Sequence, residues 1–384
     1  MTTKPLLGET GLTLKALCAS CGLPKSGTKP VLVQRLRHAA RHFQPVPSSA
    51  RILSIDMGLK NFAFSLISPA PPSKKKTLSP NDTQLDSPIR LHAWHRLDLT
   101  LPTNTTTTTP QTTKKKKKTT KPTTTPSEPP PPNPAPLDPN ADPDAEAFSP
   151  STLAALTADL VKTRLLPLRP THVLIERQRF RTGGAAPIFE WTLRVNSLEA
   201  MLHAAFAALR GTAGGGGGGV EWEWDVTSVL PKTVAEFLIP VGEGAGAGAG
   251  VGGGKGDGEE VKGKGKGKAT AGKAYRTLKR GKVDIMGGLL EGGGMVVAEK
   301  GQAKEMVSLF MDGVERRGGG KGKGGRKKKA TETEAVERTE VAEVVTKMDD
   351  LSDAVLQGMV WLQWRRNLEA LIKERPELLE EEKV

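Results

Sequence analysis

The residues best suited to chemistry in this chain are carboxylates at the ends of apolar segments. Asp56 closes the run that starts at Arg51, and Glu176 closes the run that starts at Thr171. A third acidic group, Asp349, Asp350 and Asp353, stands between Lys347 and Ala354. Both apolar runs predict buried strands. If those strands are parallel neighbours, Asp56 and Glu176 emerge side by side at one edge of a sheet. Aspartates three or four apart share a helix face. An i,i+3 pair selects Asp350 with Asp353, an i,i+4 pair selects Asp349 with Asp353, and spacing does not choose between them. Gathered carboxylates repel and raise one another's pKa, a cost that a divalent cation removes. Oxygen-only ligands suit Mg²⁺ or Mn²⁺. Two such ions about 3.5–4 Å apart activate water and stabilise the leaving oxygen in phosphodiester cleavage. Each acid also has an ordinary role open to it: Asp56 could cap a turn, Glu176 could pair with Arg177 or Arg179, and Asp349 or Asp350 could be an N-cap. The set taken together points to a metal-dependent nuclease.

The elements that must position these acids read as a mixed α/β layer fold. Asn61 to Ile67 predicts a second strand forming a hairpin with the first, turned by Gly58, and Ile89 to Leu99 a third strand. Leu153 to Leu166 predicts a helix, Pro187 to Leu209 a long helix, Val220 to Val226 a strand, and the following residues a helix through Phe237. Residues 273–312 predict two or three helical pieces, and Val336 to about Ile372 a helix with a boundary near Asp349. Three low-complexity tracts, 100–147, 241–270 and 318–334, lie between elements and read as disordered loop expansions.

Composition narrows the partner. Lys and Arg number 56 against 42 Asp and Glu, a net charge of +14, which attracts polyanions and above all nucleic acid. Lysine runs such as Lys114 to Lys118 inflate that figure. The two cysteines, Cys18 and Cys21, imply no disulfide framework. No apolar stretch reaches the roughly 18 residues needed to span a bilayer, and nothing suggests a small-molecule substrate. The first 55 residues hold a single acid, Glu9, which is compatible with mitochondrial import, with the nucleus as the alternative.

Specific motifs then carry a resemblance. The segment from Ser54 through Asp56, Gly58 and Asn61 to Ala63 resembles the first catalytic strand of fungal mitochondrial Holliday-junction resolvases, which are related to the bacterial RuvC enzymes. Ile175 to Arg181 resembles their second motif, and Lys347 to Gly358 with Trp361 to Asn367 their C-terminal motif. The resemblance implies a ribonuclease-H-like mixed sheet flanked by helices over 51–372. It implies a homodimer that nicks four-way junction DNA symmetrically with Mg²⁺ or Mn²⁺. It assigns Asp56 and Glu176 as metal ligands, the acidic helix supplying the rest from Asp349, Asp350 and Asp353.

DNA contacts are expected from Arg177, Arg179 and Arg181, which period-two spacing would place on one side of an extended segment, and from Lys60. A looser basic cluster holds Tyr275, Arg276, Lys279, Arg280 and Lys282. Phe180, Phe189 and Trp191 could stack at a junction, but packing is the favoured role for Trp191. Residues 9–43 carry Leu12, Leu17, Gly22-Leu23-Pro24, Ser26 to Lys29 and Leu32 to Leu36, and resemble a SAP domain, a small helical DNA-binding module. Ser26 or Thr28 would cap its second helix, and Lys25, Lys29 and Arg35 would meet phosphate. Cys18, Cys21, His38 and His42 approach a zinc spacing, but the residues between them read as helix rather than hairpin. Two other functions remain open. One is a non-catalytic SAP-type DNA-binding protein. The other is an actin-like or sugar-kinase ATPase, which needs a second phosphate-binding Asp-Gly loop after a strand; Asp312-Gly313 follows a helical stretch instead.

Overall fold

The computed structural model describes residues 6–70, 88–100, 148–178, 190–210, 223–239, 266–298, 302–318 and 347–380. The three low-complexity tracts therefore lie almost wholly outside the described residues. So do Arg179, Phe180, Arg181 and Phe189.

A six-stranded sheet forms the centre. Its strands are β1 (Ile52–Asp56), β2 (Phe62–Pro69), β3 (Ile89–Leu97), β4 (His172–Glu176), β5 (Asp225–Val229) and β6 (Met295–Val297), in the spatial order β5-β4-β1-β2-β3-β6. β1, β2 and β3 form an antiparallel meander, while β4 runs parallel to β1 and β5 parallel to β4. Helices cover both faces, so β1 is buried along its whole length, as expected of a strand with no solvent side.

Strand alternation divides the interior in two. Leu53 and Ile55 join Val173 and Ile175 in a core closed by α3 (Pro150–Asp159) and α4 (Glu190–Leu209). On α4, Leu198, Leu202 and Phe206 recur every four residues and are fully buried, each contributing about 1.5–3 kcal/mol of transfer free energy. Ile52 and Leu174 face the other way, into a core closed by α5 (Pro231–Leu238), α6 (Lys266–Glu291), α7 (Gln302–Gly318) and the 27-residue α8 (Met348–Glu374).

At the N-terminal end, α1 (Gly11–Ser20) and α2 (Lys29–Arg41) pack with Leu368, Leu371 and Leu378 in a third cluster. The unit is thus fastened to the end of α8. Asn367 Nδ2 donates to Ser20 O at 2.7 Å, and Arg375 pairs with Glu9 at 2.9 Å. Gly22, in the left-handed region at φ +71°, lies flat on Trp364, where a β-carbon would come within 2.3 Å of the indole. Only glycine meets both demands.

Several expected boundaries move. Of the strand expected over Val220 to Val226, residues 220–222 lie outside the described residues; Trp224 turns into the α3/α4 core, and β5 runs from Asp225, paired with His172, to Val229, past the expected end. The helix expected over 153–166 starts at Pro150, capped by Ser149 Oγ, and passes into a π-helical turn over Leu160–Leu165. β6 was not expected: three residues show no periodicity, and a turn with Gly293 at φ +66° hands the chain into it. Asp312-Gly313 lies within α7, not in a loop after a strand. Thr28 holds the N-cap position of α2, but no side-chain cap bond forms there; instead Arg35 donates to Pro24 O and Ser26 O.

Candidate active site

Asp56 and Glu176 are brought together by the parallel pairing of β1 and β4. The register matches Ser54 with Leu174 and Ile55 with Ile175, and one further step sets Asp56 beside Glu176. Both share strand parity with Ile52 and Leu174, so both lie on the α8 side of the sheet. The β4 end is held by its neighbours. Arg177 N donates to Val229 O at 2.7 Å, Gln178 N to Glu199 Oε2 at 2.8 Å, and Met57 N to Glu176 Oε2 at 3.2 Å.

Helix α8 delivers the remaining acids because small residues let it approach the sheet closely. Ser65 Oγ donates to Ala354 O at 2.9 Å. The buried Gln357 amide donates to Ser54 Oγ at 3.1 Å and to Ile55 O at 3.2 Å. At Gly358 a β-carbon would lie 2.9 Å from Ile67 Cδ1. Trp94 Nε1 donates to Leu351 O at 2.9 Å and fixes the first turn. Asp350 and Asp353 thereby face Asp56.

The electrostatics follow from this crowding. Burial, then the Glu176 carboxylate, then Asp353 and Asp350 push the Asp56 carboxyl well above the usual carboxylate range. Burial raises Asp353 as well, opposed by Lys282. Burial and then Asp349 push Asp350 up to about 6, against the pull of Lys279 and Lys347. Lysines of α6 supply the countercharge: Lys282 Nζ, itself buried, lies 2.6 Å from Asp353 Oδ1, and Lys279 pairs with Asp349. Asp350 Oδ2 is buried and accepts no hydrogen bond among the described residues.

Spacing left Asp349 and Asp350 as alternatives, and the fold separates them. Asp349 is engaged with Lys279, whereas Asp350 lines, with Asp56, a cleft of about 330 Å³. Lys60, Asn61, Gln178 and Trp191 form its other walls. Trp191, expected to pack in a core or a dimer interface, is not in the core of this chain. Its edge meets Phe148 at 6.0 Å, but the residue is 40% exposed on the cleft wall.

The expected DNA-facing residues are scattered. Lys60 is at the cleft and Arg177 is exposed at the end of β4. Lys279 is paired with Asp349, and Arg280 stands 3.9 Å from Asp284. In the N-terminal unit Lys25 pairs with Glu236 of α5 at 2.6 Å, Arg35 closes its own loop, and Lys29 is exposed. A larger hollow of about 610 Å³ on α2 is lined by Arg35, Arg37, His38, Arg41 and His42. It shares no residue with the cleft at the carboxylates, and Val31 and Gln34 line it beside the three arginines. Arg37 and Arg41 were missed as candidates, although their i,i+4 spacing marks one helix face. Cys18 and Cys21 are buried in the N-terminal core while His38 and His42 line the surface hollow, so the zinc spacing is not realised. Among the described residues no three His, Cys, Asp or Glu form a ready-made cation cage; at the carboxylates, the Lys282 ammonium stands beside Asp353 instead. Lys282 had appeared only as one of a basic cluster. Its i,i+3 spacing from Lys279, which puts the two lysines on one helix face as i,i+4 does Asp349 and Asp353, was the available signal.

Comparison with known proteins places this geometry. Residues 52–371 match the family model described as "Mitochondrial resolvase Ydc2 / RNA splicing MRS1", and residues 13–41 match the SAP domain. A relative in Schizosaccharomyces pombe, "Cruciform cutting endonuclease 1, mitochondrial", is 30% identical over 191 residues, half of this chain and 53% of that protein. The chain thus spans about half the length of the curated relative it matches. A solved structure, that of the yeast mitochondrial Holliday junction resolvase Ydc2, aligns with a TM-score of 0.49 and 21% identity, covering 96% of this chain and 99% of that one. With the family model covering most of its length, and with a SAP domain ahead of the sheet, the chain belongs to the mitochondrial resolvase Ydc2 / RNA splicing MRS1 family.

Proposed function

We propose that this chain is a metal-dependent endonuclease that resolves four-way DNA junctions in mitochondria, acting as a homodimer. The observation that carries the reading is the meeting of Asp56, Glu176, Asp350 and Asp353, from two strand ends and one helix, in a single group in which Asp56 is buried, the others are half-buried, and Asp56 and Asp350 line a cleft. Burying like charges costs stability, and a protein that only binds nucleic acid gains nothing from it. The family description spans an activity that cuts and one that splices; the acidic group favours cutting.

The residues fit Mg²⁺ or Mn²⁺ in their chemistry. All donors are carboxylate oxygens, and the buried Asp350 Oδ2 has no hydrogen-bond partner among the described residues. Asp56, Glu176, Asp353 and Asp350 would hold the ions, and Asp349 would remain with Lys279. A bound divalent cation supplies an activated water and charge stabilisation at the leaving oxygen. The chain does the rest. Lys60, beside the cleft, draws the phosphate in, and Gly58 lines the same cleft without a side chain. Arg177 extends the cationic surface beyond β4, with Arg179 and Arg181 following in sequence. Residues 9–43 serve as the DNA-binding module, through Lys29 and the α2 surface more than through Lys25 and Arg35. The unit over 51–372 is the catalytic domain.

The test compares the intact protein with Asp56→Asn on a labelled four-way junction and on linear duplex, with Mg²⁺ and with chelator. Paired nicks in the junction alone, lost in the variant while binding persists, are expected. Equal cutting of the linear duplex would overturn junction selectivity. Binding without cutting by the intact protein would favour a non-catalytic role.

A further inference from the structure

We infer that the cleft beside the carboxylates takes one unstacked nucleobase of the strand being cut, stacked on Trp191 and read by the amides of Gln178 and Asn61. The inference rests on the nuclease reading above and adds what the site recognises.

Trp191 is the starting point. Trp94, Trp224, Trp361 and Trp364 are all buried, whereas Trp191 keeps 40% of its surface exposed at the mouth of the cleft. Leaving an indole in water costs transfer free energy, so its position calls for a reason. The ring is also braced. Phe148 meets it edge-on at 6.0 Å, Arg194 lies 4.3 Å over the Phe148 ring, and Glu190 pairs with Arg194. A flat π surface held ready in this way loses little freedom when a second ring is laid on it.

The other walls define which ring. Gln178 and Asn61 offer amides, each with a donor and an acceptor, the complement of a base edge. Gln178 is steadied through its own backbone by Glu199. Lys60 supplies the charge for the attached phosphate, and Asp56 and Asp350 line the same cleft. The cleft, at about 330 Å³, is near the lower limit of small-ligand sites and suits a single nucleotide rather than a helix. A base lodged here lies next to the phosphate presented to the acids. It must leave its stack to enter, which is easiest where stacking is already interrupted, as at the point where strands exchange. The cleft therefore couples base identity to cutting and sets a sequence preference at the nucleotide flanking the nick.

The test uses the full chain, as Trp191→Ala and Trp191→Phe, on junctions that differ only in the base beside the cut. Stacking on an aromatic ring contributes about 1–3 kcal/mol per base, so Trp191→Ala should cut the favoured junction roughly tenfold more slowly. Its rates on the four bases should converge. Trp191→Phe, which keeps a ring, should retain most of the preference. In an Asp56→Asn background that binds without cutting, 2-aminopurine at the flanking position should change fluorescence on binding, and lose that change when Trp191 is also replaced by alanine. Unaltered rate and preference in Trp191→Ala would overturn the inference and leave the nuclease reading intact. So would loss of junction binding with the relative preference unchanged, which would make the ring a packing residue. Failure of the intact protein to cut any junction would instead defeat the reading on which the inference rests.

Discussion

Replacing Gly358 by alanine should separate activity from stability. A β-carbon there would sit 2.9 Å from Ile67 Cδ1 and 3.3 Å from Ser54 Cβ. Carbon atoms rest about 3.5–4.0 Å apart, so helix or sheet must give by roughly half to one ångström. Alanine gains about 1 kcal/mol of helix propensity over glycine, while overpacking costs about 1–3 kcal/mol. The fold should therefore lose no more than about 2 kcal/mol. The same displacement acts on Asp353 and Asp350, which stand earlier on the same helix. A misplacement of about 1 Å at a reacting centre can cost a hundredfold in rate. The assay pairs junction cutting with thermal unfolding, for Gly358→Ala and for Gly358→Ala with Ile67→Val, which removes the crowded Cδ1. Cutting should fall by roughly 10- to 100-fold with a melting shift of only a few degrees, and the double variant should recover most of the lost rate. Undiminished cutting by Gly358→Ala, or no recovery in the double variant, would refute the view that this close contact seats the acids.

Other predictions follow from the same contacts. Gly22→Ala meets both a positive φ and the Trp364 ring; it should destabilise by at least about 2 kcal/mol, and far less once Trp364 is also alanine, as a double-mutant cycle in melting would reveal. Lys282→Met leaves the Asp353 charge without its 2.6 Å partner; it should lower metal-free stability by about 2 kcal/mol, with Mg²⁺ restoring much of it in a melt run with and without chelator. The carboxyls of Asp56, Asp350 and Asp353 are raised in the folded state, so the folded protein holds more protons than the unfolded chain from about pH 4 upward. Their contribution therefore worsens as pH rises through that window, to about 6 for Asp350. Metal-free Asp56→Asn should accordingly melt higher than the parent at pH 8, with the gap closing toward pH 5; a gap that widened at low pH would contradict this sign.

How much of the site could be read from sequence depended on the range of the signal. Asp56 and Glu176 were legible because an apolar strand ending in an acid is a local pattern, and parallel pairing of two such strands puts their ends together. The i,i+3 and i,i+4 relations among Asp349, Asp350 and Asp353 were equally visible. The choice between Asp349 and Asp350 was not, since it depends on Lys279 of α6 reaching the first of them. Lys282 was obscured by its neighbours: a buried lysine looks no different in sequence from Arg280, which is exposed. The place of Trp191, edge-on to Phe148 and 40% exposed at the cleft, is set by contacts with residues that no local window contains. The three-residue β6 and the extension of β5 to Val229 are set by pairing with β3 and β4, which no local window contains.

Helix α8 has a consequence for how such a protein can change over time. Its 27 residues extend about 40 Å, with Asp350 in the opening turn and Leu368 and Leu371 near the close, beneath α1 and α2. Stripping away the leading 43 positions would leave those leucines wet. The forward helices are therefore no cassette to be shuffled in or out; gaining or shedding them demands matching changes in the last two turns of the rod whose other end carries the acids.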